Sequence, residues 1–224
     1  MIKAPQGGQQ RKYVEQPNIA PGSYPGRIVQ LIDLGLQPQR PYQGQDKKPA
    51  YELMFTYELV DTFVVDEQGK ELENKPRWIS ETLPLHPLIA DKAKSTQRYN
   101  TIDPNGEFGG DFSKLIDKPV SVLVVNNKSN GKVYDNVASI AAMRPRDAAN
   151  CPELVNKPTI FSLEDPDIDV FNRLPKWIQD KIRGNLNFNG SKLQMLVGGN
   201  QPAPAPKPVP EEANAELPDD DLPY

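Results

Sequence analysis

With one cysteine, Cys151, and one histidine, His86, the chain has little of what metal and redox sites are built from. A single thiol excludes an internal disulfide and a multi-cysteine zinc cage, and a single imidazole excludes a multi-histidine zinc site. Long apolar runs are also missing. No stretch approaches the ~18 to 20 apolar residues that a spanning helix needs. The opening, Met1-Ile2-Lys3-Ala4-Pro5-Gln6-Gly7-Gly8, lacks the apolar core of a signal peptide, so a cytoplasmic protein is expected. No phosphate-cradling motif is present, because Gly106 to Gly110 is not followed by Lys-Ser or Lys-Thr.

What is abundant is proline, 24 residues among 224, and charge distributed unevenly. From Asn200 onward there are six acids (Glu211, Glu212, Glu216, Asp219, Asp220, Asp221) against Lys207, a net −5. The whole chain is −4, so residues 1–199 are about +1. An acidic tail therefore hides a near-neutral body, and blocks of like charge are usually interaction tails.

Periodicity divides the body. Residues 1–20, rich in Gln, Gly and Pro, predict a mobile arm. Strands are predicted at Gly22 to Asp33, Tyr51 to Val60 and Pro76 to Leu83, then a helix over His86 to Tyr99. A helical turn follows at Asp111 to Ile116. Val120 to Asn126 and Lys132 to Met143 read as a hairpin around Asn127-Lys128-Ser129-Asn130-Gly131. Three strands, a helix and two strands are the order of an OB fold, a five-stranded, partly open barrel with its helix between strands three and four. The expected class is mainly β, with the OB-fold domain over 21–145. Residues 146–199 then predict short amphipathic helices, begun by Asp165-Pro166-Asp167 and Leu174-Pro175. They would pack on the barrel or on a partner chain, the latter giving a homodimer. Residues 200–224, opening Gln-Pro-Ala-Pro-Ala-Pro-Lys-Pro, predict an extended disordered linker and tip.

The tip itself carries chemistry. Asp219-Asp220-Asp221 precede Leu222-Pro223-Tyr224, and a merely solubilising tail has no need of an apolar, aromatic end. A docking peptide does: the ring fills an apolar pocket, the α-carboxylate meets a base and the aspartates steer. These six residues resemble the tip of bacterial single-stranded DNA-binding proteins, with Leu222 where isoleucine is usual and Tyr224 where phenylalanine is usual. The body is longer than theirs and looks more like a bacteriophage single-stranded DNA-binding protein, a group with OB-fold bodies and acidic tails. Segments such as Pro21-Gly22-Ser23-Tyr24-Pro25-Gly26-Arg27-Ile28-Val29 and Ala93-Lys94-Ser95-Thr96 add to that likeness.

The resemblance implies sequence-independent binding of single-stranded DNA in phage replication or recombination, in the host cytoplasm. The tip would recruit a polymerase, helicase or primase and compete with DNA for the groove. Stacking rings and backbone cations are expected among Tyr42, Lys47, Lys48, Tyr51, Tyr57, Arg77, Trp78, Lys92, Lys94, Arg98, Tyr99, Lys128, Lys132 and Tyr134. Phe55 shares the parity of Tyr51 and Tyr57, and that face also reads as core. Trp78 with Arg77 and Tyr99 with Arg98 are favoured because each ring adjoins a cation. The acids Glu164, Asp165, Asp167 and Asp169 read as helix-start residues rather than a metal-dependent nuclease site. Neither an enzyme, a cofactor nor a membrane partner is expected. The alternative is a protein adaptor that uses the barrel and tip without binding DNA.

Overall fold

The computed structural model describes residues 14–41 and 43–198. The fold is mainly β. Its strands are β1 (Gly22–Gln37), β2 (Ala50–Val65), β3 (Glu71–Pro84), β4 (Pro119–Ser129), β5 (Lys132–Ala142) and β6 (Thr159–Phe161). The helices are α1 (Lys94–Ile102), α2 (Pro145–Ala149), α3 (Ile168–Arg173), α4 (Lys176–Arg183) and α5 (Lys192–Leu196), with a 3-10 turn at Phe112–Leu115. One open sheet runs in the order β3-β2-β1-β4-β5, antiparallel throughout, and β6 adds in parallel to β1. No helix among the described residues is long and apolar enough to cross a membrane.

β1 organises the sheet. Along one edge it pairs with β2, from Gly26↔Leu59 to Gln37↔Ala50. Along the other it pairs with β4 over Gly22 to Arg27, then with β6 over Gln30 to Ile32. The backbone of Asp117 and Lys118 fills the gap at Ile28. Register shifts after Ile28 and Asp33 mark irregularities of the kind that bend a strand. At the second, Gly35 has φ +77° and lies against the C-terminal segment: an added Cβ would meet Asn185 at 2.7 Å and Leu163 at 2.8 Å.

Two cores lie on opposite faces of this sheet. Alternation sends Leu53, Phe55, Tyr57 and Leu59 to one face, where Leu31, Ile79, Leu83, Val122 and Tyr99 of α1 meet them. Met54, Ile32 and Leu34 face the other way, against Phe161, Phe171, Leu174, Ile178, Ile182 and Leu193. Residues 145–198 thus pack on their own sheet. Burial of each large apolar side chain stabilises the assembly by about 1.5–3 kcal/mol before entropy is counted. The helices of this extension carry the expected signals. Asp167 caps α3 through the Asp169 and Val170 N–H groups, and Pro175 and Gly184 bound α4.

Three expectations need correction. The helix predicted over 86–99 begins only at Lys94; Pro87 to Ala93 are turns closed by Ala90 N–H to Pro87 and Ala93 N–H to Ala90. Leu88 packs on the core while Ile89 is 92% exposed, so their apparent helical period has no helix beneath it. The arm predicted mobile over 1–20 is held at residues 14–20. The Gln16 amide bonds both the N–H and the carbonyl of Val65, Asn18 and Ile19 bond Asp135, and Ile19 is buried. Residues 1–13 lie outside the described set. The predicted five-residue turn after β4 is a two-residue turn, Asn130-Gly131, with both φ values positive, and pairing reaches Ser129↔Lys132.

Candidate nucleic-acid interface

Three side chains stand in a row across the sheet, because Arg27 pairs with Glu58 and Glu58 pairs with Trp78. Directly opposed residues share a face, and here it is the face covered by the extension. Arg27 donates to the carbonyls of Cys151 (3.0 Å), Pro152 (2.7 Å) and Asp117 (2.7 Å). Glu58 is fully buried and accepts from Val155 N–H (2.6 Å), Asn156 Nδ2 (2.7 Å) and Trp78 Nε1 (2.9 Å). The row therefore straps residues 151–156 across β1 and β2 and ends at Trp78. That ring is held by its edge, yet it is 40% exposed. Burial pushes the Cys151 thiol up, although Arg27 opposes the shift.

A second exposed ring lies at the start of β2. Tyr51 is 53% exposed, and its hydroxyl accepts from Asn187 Nδ2 at 3.3 Å. Lys48, three residues earlier, is exposed, and Lys47 is half-buried. Leu85 N–H bonds the Tyr51 carbonyl, and His86 N–H bonds Ser95, which brings the start of α1 to this end. Exposed Lys92 and half-buried Lys94 come with it. Lys128 and Lys132 are exposed on the β4–β5 hairpin. Their register puts Lys132 with half-buried Tyr134 on one face and Lys128 on the other.

Four candidates are structural instead. Tyr57 and Tyr99 are core rings, 0% and 1% exposed, and present no face to a base; the same holds for Phe55. The Tyr57 hydroxyl donates to Glu81 (2.7 Å), and its pKa is raised well above the usual range by burial and then by the Glu81 charge. Arg98 is buried and grips Glu81 with two bonds (2.8 and 3.0 Å) while reaching the Ala138 carbonyl on β5 (3.2 Å). Burial draws its pKa down, but the bonds and charge of Glu81 win and the guanidinium pKa lies above normal. Arg77 donates to the Pro17 carbonyl (2.9 Å) and pairs with Asp135 (3.6 Å). Arg77 and Arg98 thus lace β3 to β5 at the two free edges of the sheet. Adjacency misled at both pairs: neighbours on a strand point to opposite faces, and neighbours on a helix do not face each other.

Tyr99 has a different task. Its hydroxyl donates to Asp103 (3.0 Å) and accepts from Gly110 N–H (2.7 Å), which shapes the loop after α1. Tyr42 and the docking residues Asp219, Asp220, Asp221, Leu222, Pro223 and Tyr224 lie outside the described residues. The acids Glu164, Asp165, Asp167 and Asp169 form no candidate metal cluster among the described residues. Val155, Leu186 and Asn187, all on the extension, were not foreseen as neighbours of the exposed rings. Glu58 was foreseeable in part, since its parity sets it opposite Leu53, Phe55, Tyr57 and Leu59. Comparison of the chain with protein-family models and with curated proteins returns no match.

Proposed function

We propose that the sheet is an OB-fold barrel and that it binds single-stranded DNA without sequence preference, in phage replication or recombination. The order β3-β2-β1-β4-β5, a helix between β3 and β4, and free edges laced by Arg77 and Arg98 support the barrel reading. The observation that carries the binding reading is Trp78, an exposed indole fixed by a buried carboxylate on a sheet face. Such a ring stacks on any base. Cations at the β1–β2 loop, the start of α1 and the β4–β5 hairpin would meet the phosphates. The chain's acidic end would recruit replication proteins and occupy the groove when DNA is absent.

Binding is read by titrating a dT oligonucleotide into the protein and following tryptophan fluorescence, with Trp177→Phe as background so that only Trp78 reports. One stacked base contributes about 1–3 kcal/mol, so Trp78→Ala weakens binding about five- to 150-fold. No preference for single strand over duplex would overturn the reading and favour a protein adaptor.

A further inference from the structure

Exposed Val155 and Leu186 would be unremarkable singly, because scattered surface aliphatics are normal. Their placement is what sets them apart. Val155 is 56% exposed, and its N–H bonds the same Glu58 carboxylate that holds the Trp78 indole. Leu186 is 53% exposed, and its N–H bonds the carbonyl of Leu36, the ladder partner of Tyr51. The next residue, Asn187, bonds the Tyr51 hydroxyl. Each exposed ring of the sheet is therefore paired with one exposed aliphatic of the extension, through backbone that cannot drift away. An exposed lysine accompanies each pair: Lys157 two residues past Val155, and Lys48 three residues before Tyr51.

Resting on the single-strand reading above, we propose that the extension forms one wall of the DNA site. Val155 with Trp78 and Leu186 with Tyr51 make two stations, in which the ring stacks on a base and the aliphatic covers the base's edge or far face. Lys157 and Lys48 take the adjoining phosphates. Glu58 and Asn187 are positioning residues that orient the rings. Tyr51 and Glu58 are seven residues apart on β2, so their side chains leave the strand on opposite faces, and the extension, which bonds at both places, is the element the two stations share. Residues 145–198 on this view do more than brace the sheet.

The test compares three full-length double variants, using a fluorescent dT oligonucleotide of about 20 nucleotides and thermal unfolding in parallel. Val155→Ala with Leu186→Ala is expected to weaken binding at least ten-fold while leaving the unfolding midpoint within a few degrees. Val155→Ile with Leu186→Met, which keeps the apolar cover, is expected to bind as wild type does. Trp78→Ala with Tyr51→Ala is the reference for loss of the rings. If the alanine pair on the extension stays within two-fold of wild type while the ring variant loses affinity, the extension is no wall and this inference is overturned, though the DNA reading stands. A wild-type protein that ignores the oligonucleotide overturns both.

Discussion

Arg98→Met should cost stability and leave DNA affinity unchanged. The guanidinium is almost wholly enclosed: its side chain is 3% exposed, and that of Glu81 is 10% exposed. It makes two bonds to the carboxylate and one to the β5 backbone. Methionine fills much of the same volume but removes all three. Glu81 is then left charged, largely enclosed and, among the described residues, served by the Tyr57 hydroxyl alone. Removing one partner of a buried pair costs about 3–5 kcal/mol, chiefly from the stranded charge. Against a total stability of about 5–15 kcal/mol, that is a large fraction. Adding Glu81→Gln removes the stranded charge while keeping an acceptor for Tyr57. The double variant should therefore be more stable than Arg98→Met alone. Urea unfolding of both variants and of Glu81→Gln, with unchanged m-values, gives the coupling. A cost below about 1 kcal/mol for Arg98→Met, or simple additivity, would refute the reasoning. So would a loss of DNA affinity in fully folded Arg98→Met protein, which would return Arg98 to the binding surface.

Two further outcomes are expected. Deleting residues 211–224 removes all six tail acids while keeping Lys207, and should raise single-strand affinity most at low salt, where an acidic competitor is least screened; affinity unchanged across a salt series refutes the competition. Burial pushes the Asp103 carboxyl up, but the Phe108 and Glu107 N–H groups and the Tyr99 hydroxyl outweigh it and hold its pKa below normal. Its stabilisation is therefore present above the ordinary aspartate value of about 3.9 and is lost as pH falls through the lower folded value. Asp103→Asn should flatten the acid limb of the stability–pH curve, and parallel limbs in the two proteins would refute the assignment.

The first five strands were legible in chain order because alternation is a local signal, and α3 and α4 were legible from Asp167, Pro175 and Gly184; the three-residue β6 was not foreseen, since it carries too few residues to show a period. Which face of a strand meets the core is not a local property. Tyr51 and Tyr57 have the same parity on β2, yet one is 53% exposed at the strand's end and the other is wholly buried at its middle. Arg77 and Arg98 were read as free cations because their acceptors, Asp135 and Glu81, lie 58 and 17 residues away. The seat of the extension was equally hidden. A sign of it did exist in β2, where Leu53 to Leu59 are all buried on both faces. A strand with only one covered face would have left Met54, Thr56 and Glu58 in water.

Glu58 also bears on the selectivity of the proposed site. A buried carboxylate is costly unless its oxygens are served, and here three N–H donors serve it, with no cation partner among the described residues. One of those donors is the indole N–H, the only donor that tryptophan has. Trp78 therefore has no hydrogen bond left to offer a base. What remains is its π-face, and every base has a face to stack on it. Tyr51 differs, since its hydroxyl accepts from Asn187 and, among the described residues, donates its own proton to none. Any preference among the four bases should therefore arise at Tyr51, and none at Trp78.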